Sequence, residues 1–133
     1  MILSIDIARD ESFMQLALEE AHKAYAQDEV PIGAVVIGPD GRILGKGFNQ
    51  TETTCSQSRH AELIALEAAG QTLHDWRLAD CTLYVTVQPC LMCVGLICLS
   101  RVTRLVYGAQ SPLFGYSLDK KELHSVYSKH LRG

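Results

Sequence analysis

The sequence predicts an α/β fold in which a mixed sheet carries helices on both faces, and three observations predict it. Short apolar runs alternate with stripes of helical period after an initial pair of runs joined by a turn; one run is apolar on both faces; and one helix is apolar nearly all round. The 133 residues suit a single domain spanning 1–133, because a chain of this size buries roughly two-thirds of its unfolded surface. Composition agrees: 47% hydrophobic and 20% charged residues, without repeat or low-complexity tract, are ordinary for a soluble globular protein.

The first helix follows Ser12, a candidate cap, and Phe13, Leu16, Ala17, Ala21 and Ala24 carry its apolar stripe to about Gln27. Pro31 ends that pattern. Ile32-Gly33-Ala34-Val35-Val36-Ile37 reads as a central strand, closed by the turn Gly38-Pro39-Asp40-Gly41, and Ile43 to Phe48 returns antiparallel. A loop from Asn49 to Arg59 leads into a second helical stripe of Ala61, Ile64, Ala65 and Ala68, expected to stop at Gly70. Leu83, Val85 and Val87 alternate with Thr82, Tyr84 and Thr86 in a third strand, and Pro89 suits the first turn of the next helix. That helix carries Leu91, Met92, Val94, Leu96, Ile97 and Leu99, so it needs cover from the sheet and from a loop, another helix or a second subunit. Val102 to Tyr107 supplies the last strand. Strands joined through helices run parallel by right-handed crossovers. The two crossover helices begin near His60 and Cys90, so both residues come to the carboxyl edge of the sheet, where open α/β folds bind ligands.

The opening MILSIDIAR has no basic leader, and no apolar stretch approaches the roughly 20 residues of a membrane span. A soluble, cytoplasmic protein without a membrane partner is expected. Five cysteines without a secretory signal point to metal binding or burial rather than a disulfide framework. A net charge of −3 argues against a general nucleic-acid coat. Acidic groups crowd the first helix, whereas Lys120, Lys121, Lys129 and Arg132 gather near the other end, which is where a polyanion would meet the chain.

Cys90 and Cys93 stand three apart, so on a helical turn their sulfurs share a face and can grip one ion, and the helix start favours the thiolate that binds it. His60 makes a third ligand. Cys81 begins the strand before Cys90 and so lies roughly 20 Å away at about 3.3 Å per residue, while Cys98 points to another side of the helix. Cys55, in the loop before His60, stays open as a fourth ligand. If water holds that position instead, zinc lowers its pKa from about 15.7 to about 7. Glu62, two residues past His60, then reaches the same crevice as a proton shuttle rather than a ligand.

His60-Ala61-Glu62 followed by Pro89-Cys90-Leu91-Met92-Cys93 matches the H-x-E…P-C-x-x-C pattern of zinc deaminases that act on nucleobases. With Glu29-Val30-Pro31-Ile32-Gly33-Ala34-Val35, Gly47-Phe48-Asn49, Leu83-Tyr84-Val85-Thr86, Ser100-Arg101 and Val106-Tyr107-Gly108-Ala109, the chain resembles the tRNA-specific adenosine deaminases over most of its length. The resemblance implies a three-layer α/β/α cytidine-deaminase-like fold, one Zn2+ per subunit, a homodimer, and hydrolytic conversion of adenosine to inosine at the wobble position of a tRNA anticodon stem-loop. It also implies that Asn49 holds the target nucleotide. Three departures stand out. Gln88 replaces the family's usual Glu before Pro89, and Gln110-Ser111 replaces a polar pair near the substrate's sugar. The sequence stops at Leu131-Arg132-Gly133, where the family continues into a basic, aromatic C-terminal helix, so the expectation is a truncated chain or a reduced grip on tRNA.

Phe114 and Tyr116, beside Lys120 and Lys121, offer either a stacking platform for a splayed base or ordinary loop packing. Trp76 and Met92 read as packing residues, and His22, His74, His124 and His130 as surface or packing histidines. Two other functions fit the site: a deaminase of free cytosine, guanine or cytidine, favoured by the acidic charge, and a catalytically silent zinc subunit, disfavoured by Glu62.

Overall fold

Strand β1 (Gly33–Ile37) is buried at every position, and its alternating side chains fill two separate cores. A computed structural model describes residues 7–116 and contains seven further elements among them: α1 (Ile7–Ala26), β2 (Ile43–Phe48), α2 (Thr51–Thr54), α3 (Ala61–Leu73), β3 (Thr82–Val87), α4 (Leu91–Leu99) and β4 (Arg104–Ala109). Ala34 and Val36 join Leu83, Val85, Ala65, Ala69, Val94 and Ile97 on the face covered by α3 and α4. Val35 and Ile37 meet Tyr84, Ala17, Phe13 and Leu16 on the face covered by α1. The result is the expected three-layer α/β/α arrangement.

The four strands lie in the order β2-β1-β3-β4. β1 is antiparallel to both neighbours, and β3 and β4 are parallel, so the sheet is mixed as expected. Missing side chains seat the helices. A Cβ on Gly47 would lie 2.4 Å from the Ala61 carbonyl oxygen and one on Gly45 2.3 Å from that of Ala65, so α3 presses directly on β2. On the opposite face, a Cβ on Gly33 would lie 2.1 Å from the Ala17 carbonyl oxygen of α1. The Gly47 contact holds the start of α3, and with it His60, beside the end of β2. Asp10 fastens α1 across the sheet, accepting hydrogen bonds from Tyr84 Oη at 2.6 Å and Arg104 Nη1 at 2.8 Å.

Several expected boundaries move. Ser12 lies inside α1 and caps nothing, since the helix already runs from Ile7. Gly70 lies within α3, which continues to Leu73 and ends at His74 in the left-handed region at φ 54°. The segment from Asn49 to Arg59 contains the short helix α2. Pro89 precedes the N-cap Cys90 instead of occupying the first turn. Met92 is 42% exposed, so it is not a core residue. Trp76 is also exposed, with the guanidinium carbons of Arg77 and Arg101 4.7 and 5.6 Å from its ring centre, so it is a stacking surface rather than a packing residue. Lys120, Lys121, Lys129, Arg132, His124 and His130, with the segment Leu131-Arg132-Gly133, lie outside the described residues. Among the described residues no helix is long and apolar enough to cross a membrane.

Candidate active site

His60 and Cys90 occupy equivalent places, each the extended N-cap of a helix on the same face of the sheet, and neither spends its side chain on capping. Both are therefore free to turn toward the crevice, and Cys93, in the first turn of α4, joins them. Cys90 Sγ lies 3.7 Å from Cys93 Sγ and 3.7 Å from His60 Nδ1, and Cys93 Sγ lies 3.4 Å from His60 Nδ1. Tetrahedral zinc, at about 2.3 Å from sulfur and about 2.0–2.1 Å from nitrogen, needs S···S edges of roughly 3.8 Å and S···N edges of roughly 3.6 Å. The cluster fits zinc. All three ligand atoms fall within 4.8 Å of one another, positioned to bind one metal ion.

The thiol of Cys93 hydrogen-bonds to Cys90 and, against the cost of burial, brings the Cys90 thiol down to about 5. The same contact, added to burial, pushes Cys93 up. Cys55 does not join them: it is exposed, and its Sγ lies 3.7 Å from the Glu52 carbonyl oxygen. Cys81 and Cys98 are buried in the core beneath α3 and α4. Three protein ligands, and not four, meet at this point among the described residues.

Glu62 sits one residue into α3 and is 4% exposed. Burial pushes its pKa up, while the start of its own helix and the Cys93 thiol pull the other way without prevailing. A carboxyl with this balance holds a proton more readily than one in water, as a general acid-base group requires.

His60, Glu62, Cys90 and Asn49 line a cavity of about 650 Å³. Asn49 is buried and fixed on two sides: its Oδ1 accepts from Thr51 N at 3.2 Å and from Thr51 Oγ1 at 2.6 Å, and its Nδ2 donates to Val30 O at 3.4 Å. Both acceptor positions are thus occupied, and one N–H remains to meet a ligand. His60, Glu62, Cys90 and Asn49 thus share this cavity, and Cys93 adjoins it through His60 and Cys90.

Two residues with structural duties at the rim carried no such role in the sequence. Glu29, buried at the cavity wall, accepts from Glu52 N at 3.0 Å, Thr53 N at 2.6 Å and Thr53 Oγ1 at 2.6 Å, and so ties down α2. Burial pushes its carboxyl up, but the bonds from Thr53 and Glu52 outweigh that and hold its pKa below the ordinary value. Gln88, at the end of β3, accepts from Ser111 N at 3.2 Å and donates to Tyr116 O at 3.4 Å. Their signals were the place of Glu29 in the Glu29-Val30-Pro31 motif and the departure at Gln88 before Pro89, neither of which announced a tether. Of the two expected stacking aromatics, Phe114 is 76% exposed at the cavity rim, whereas Tyr116 packs against the core.

Residues 7–109 match the family described as the cytidine and deoxycytidylate deaminase zinc-binding region. The chain is 45% identical over 103 residues to the tRNA-specific adenosine deaminase of Streptococcus pyogenes serotype M18, which covers 77% of this chain and 64% of the relative. It is 48% identical over 106 residues to the chloroplastic tRNA(adenine(34)) deaminase of Arabidopsis thaliana, 80% of this chain but 8% of that protein. The chain thus spans less than two-thirds of the length of these relatives. Among solved structures, one from studies of A-to-I editing by tRNA:A34 deaminases at the wobble position of transfer RNA superimposes with a TM-score of 0.76 at 44% identity, covering 79% of this chain and 75% of that one. The guanine deaminase of Bacillus subtilis superimposes with a TM-score of 0.72 at 34% identity, covering 75% and 64%.

Proposed function

The chain belongs to the cytidine and deoxycytidylate deaminase family by its zinc-binding region, and from that premise we propose that it converts adenosine to inosine at the wobble position of a tRNA anticodon stem-loop. The observation that carries this reading is the buried carboxyl of Glu62 beside the His60, Cys90 and Cys93 cluster, opening on a cavity of about 650 Å³. Relatives named for adenosine in tRNA share 44–48% of matched residues with this chain, against 34% for the guanine deaminase. The exposed ring of Phe114 at the rim suits a base splayed out of an RNA loop.

Zinc held by His60, Cys90 and Cys93 would supply a Lewis acid that makes water nucleophilic near neutral pH. Glu62 then carries the protons. It passes one to the ring nitrogen as the water oxygen bonds to the amino-bearing carbon, and a second to the exocyclic nitrogen as that C–N bond breaks and ammonia leaves. Both protons of the consumed water are accounted for, one on the base and one in ammonia. Asn49 orients the nucleotide by donating its remaining N–H to an acceptor on it, a role its bonds to Thr51 and Val30 pre-organise.

The protein works as a homodimer in the cytoplasm. Leu91, Met92 and Leu99 are 54%, 42% and 51% exposed on α4, an apolar surface suited to a second subunit. Five free cysteines suit a reducing compartment.

Mass-spectrometric nucleoside analysis of an adenosine-containing anticodon stem-loop tests the reading. Inosine should accumulate with the zinc-loaded protein and not with its Glu62→Ala variant. A second reading, deamination of a free base or nucleoside such as guanine, cytosine or cytidine, is favoured by the likeness to guanine deaminase. Turnover of such a small substrate at or above the stem-loop rate would replace the first reading with the second.

A further inference from the structure

We propose that Gln88 is a positioning residue that fixes residues 110–116 as one wall of the substrate cavity, and that it needs the two-sided hydrogen bonding of a carboxamide to do so. The inference rests on the reading of the cavity as a substrate site. Ser111 and Phe114 line the cavity, and neither lies in a helix or strand, so something must hold them in place. The backbone supplies part of the hold: Gln88 N donates to Ala109 O at 2.7 Å, Tyr116 N donates to Pro89 O at 2.9 Å, and Gly115 bridges to Cys90. These bonds anchor the two ends of the segment. The Gln88 side chain joins them across the middle, because its Oε1 accepts from Ser111 N at 3.2 Å while its Nε2 donates to Tyr116 O at 3.4 Å.

The segment also folds tightly round that carboxamide. Gly115 N donates to Ser111 O at 2.9 Å, closing a small ring. A Cβ on Gly115 would lie 2.3 Å from Gln88 Oε1 and 2.6 Å from Ser111 O, so only glycine allows the approach. A carboxamide has an acceptor oxygen and a donor nitrogen, and both ends are used here. A carboxylate of the same shape keeps the acceptor for Ser111 but sets a negative oxygen against the Tyr116 carbonyl, which also only accepts. An apolar isostere loses both contacts. The wall therefore responds to these two changes differently.

The test uses zinc-loaded protein carrying Gln88→Glu or Gln88→Leu, with amide hydrogen exchange read residue by residue and kinetics measured on the adenosine-containing stem-loop. In Gln88→Glu, exchange should rise at Tyr116 and Gly115 while the Ser111 amide stays protected. In Gln88→Leu it should rise at all three. KM should increase roughly 3- to 10-fold, the range that loss of a neutral hydrogen bond spans, with kcat within about twofold and zinc content unchanged. Gly115→Ala, which displaces the carboxamide without altering it, should reproduce the Gln88→Leu pattern. Unchanged exchange across residues 111–116 in both Gln88 variants overturns the proposal, as does a fall in kcat with KM unaltered. If the exchange patterns separate as stated but neither mutant nor unmutated protein makes inosine, the tether stands and the adenosine reading fails.

Discussion

The floor and the rim of the cavity are built by different means. On the floor, His60, Cys90 and Cys93 are placed by regular elements: two helix starts at one edge of the sheet, and a one-turn separation along α4. At the rim, α2 and residues 110–116 are tied in by hydrogen bonds, to which side chains reaching from elsewhere contribute, Glu29 on one wall and Gln88 on the other. A floor made of secondary structure inherits the rigidity of the core. A rim made of tethers can be retuned by one substitution, which lets a constant chemistry serve different substrates.

Breaking the floor should have the largest effects. Cys90→Ala or His60→Ala should abolish metal binding, seen by elemental analysis, and abolish turnover, with a fall in melting temperature that added zinc no longer reverses. Glu62→Ala should lower kcat by about 100- to 10,000-fold, the usual contribution of a general acid-base group, while zinc stays bound. Loss of metal from the Glu62 variant equal to that from the Cys90 variant would contradict the division between ligands and proton carrier.

This division explains what was legible in the sequence. The metal trio could be read because helical spacing and strand order are local or topological properties, and they specify where His60, Cys90 and Cys93 meet. The two-sided burial of Ala34 to Ile37 was legible for the same reason: an uninterrupted apolar run demands cover on both faces. The tether of α2 was not legible, because the Glu29 carboxylate reaches amides more than 20 residues away and nothing in its neighbours announces them. Local signals also misled. Ser12 and Gly70 look like helix punctuation, but the packing of α1 and α3 on the sheet carries both helices through them. Met92 looks like core because hydropathy does not say which face of an apolar helix stays uncovered.

The rim should give a smaller effect with its own pH signature. Glu29→Gln removes the charge from the tether of α2 and should raise KM several-fold, with kcat and zinc content nearly unchanged. Glu29 titrates below its ordinary value of 4.5 in the folded protein, so its contribution is present in full above that value and fades as pH falls through the lower, folded one. Exchange of the Glu52 and Thr53 amides should therefore accelerate on acidification below pH 4.5 in the unmutated protein, beyond the intrinsic pH trend. In Glu29→Gln it should be faster already at neutral pH and lack that added acceleration. Equal behaviour of the two proteins would mean that α2 is held by something other than this carboxylate.

The smallest effect is expected where neither floor nor rim is touched. Asp10 lies on the opposite face of the sheet, where it bonds Tyr84 and Arg104 and fastens α1. The Arg104 hydrogen bond holds its carboxyl below the ordinary 3.8, so its stabilisation is retained above that value and is lost only as pH falls through the folded one. Asp10→Asn keeps the shape and removes the charge, and should cost about 1–2 kcal/mol, read as a fall of roughly 3–8 °C in melting temperature. That deficit should shrink in strong acid, where the unmutated carboxyl is protonated too. KM and zinc content should not change, because neither Tyr84 nor Arg104, the partners of Asp10, lines the cavity. A KM shift in Asp10→Asn as large as that in Glu29→Gln would show that the rim draws its position from the far layer as well as from its own tethers.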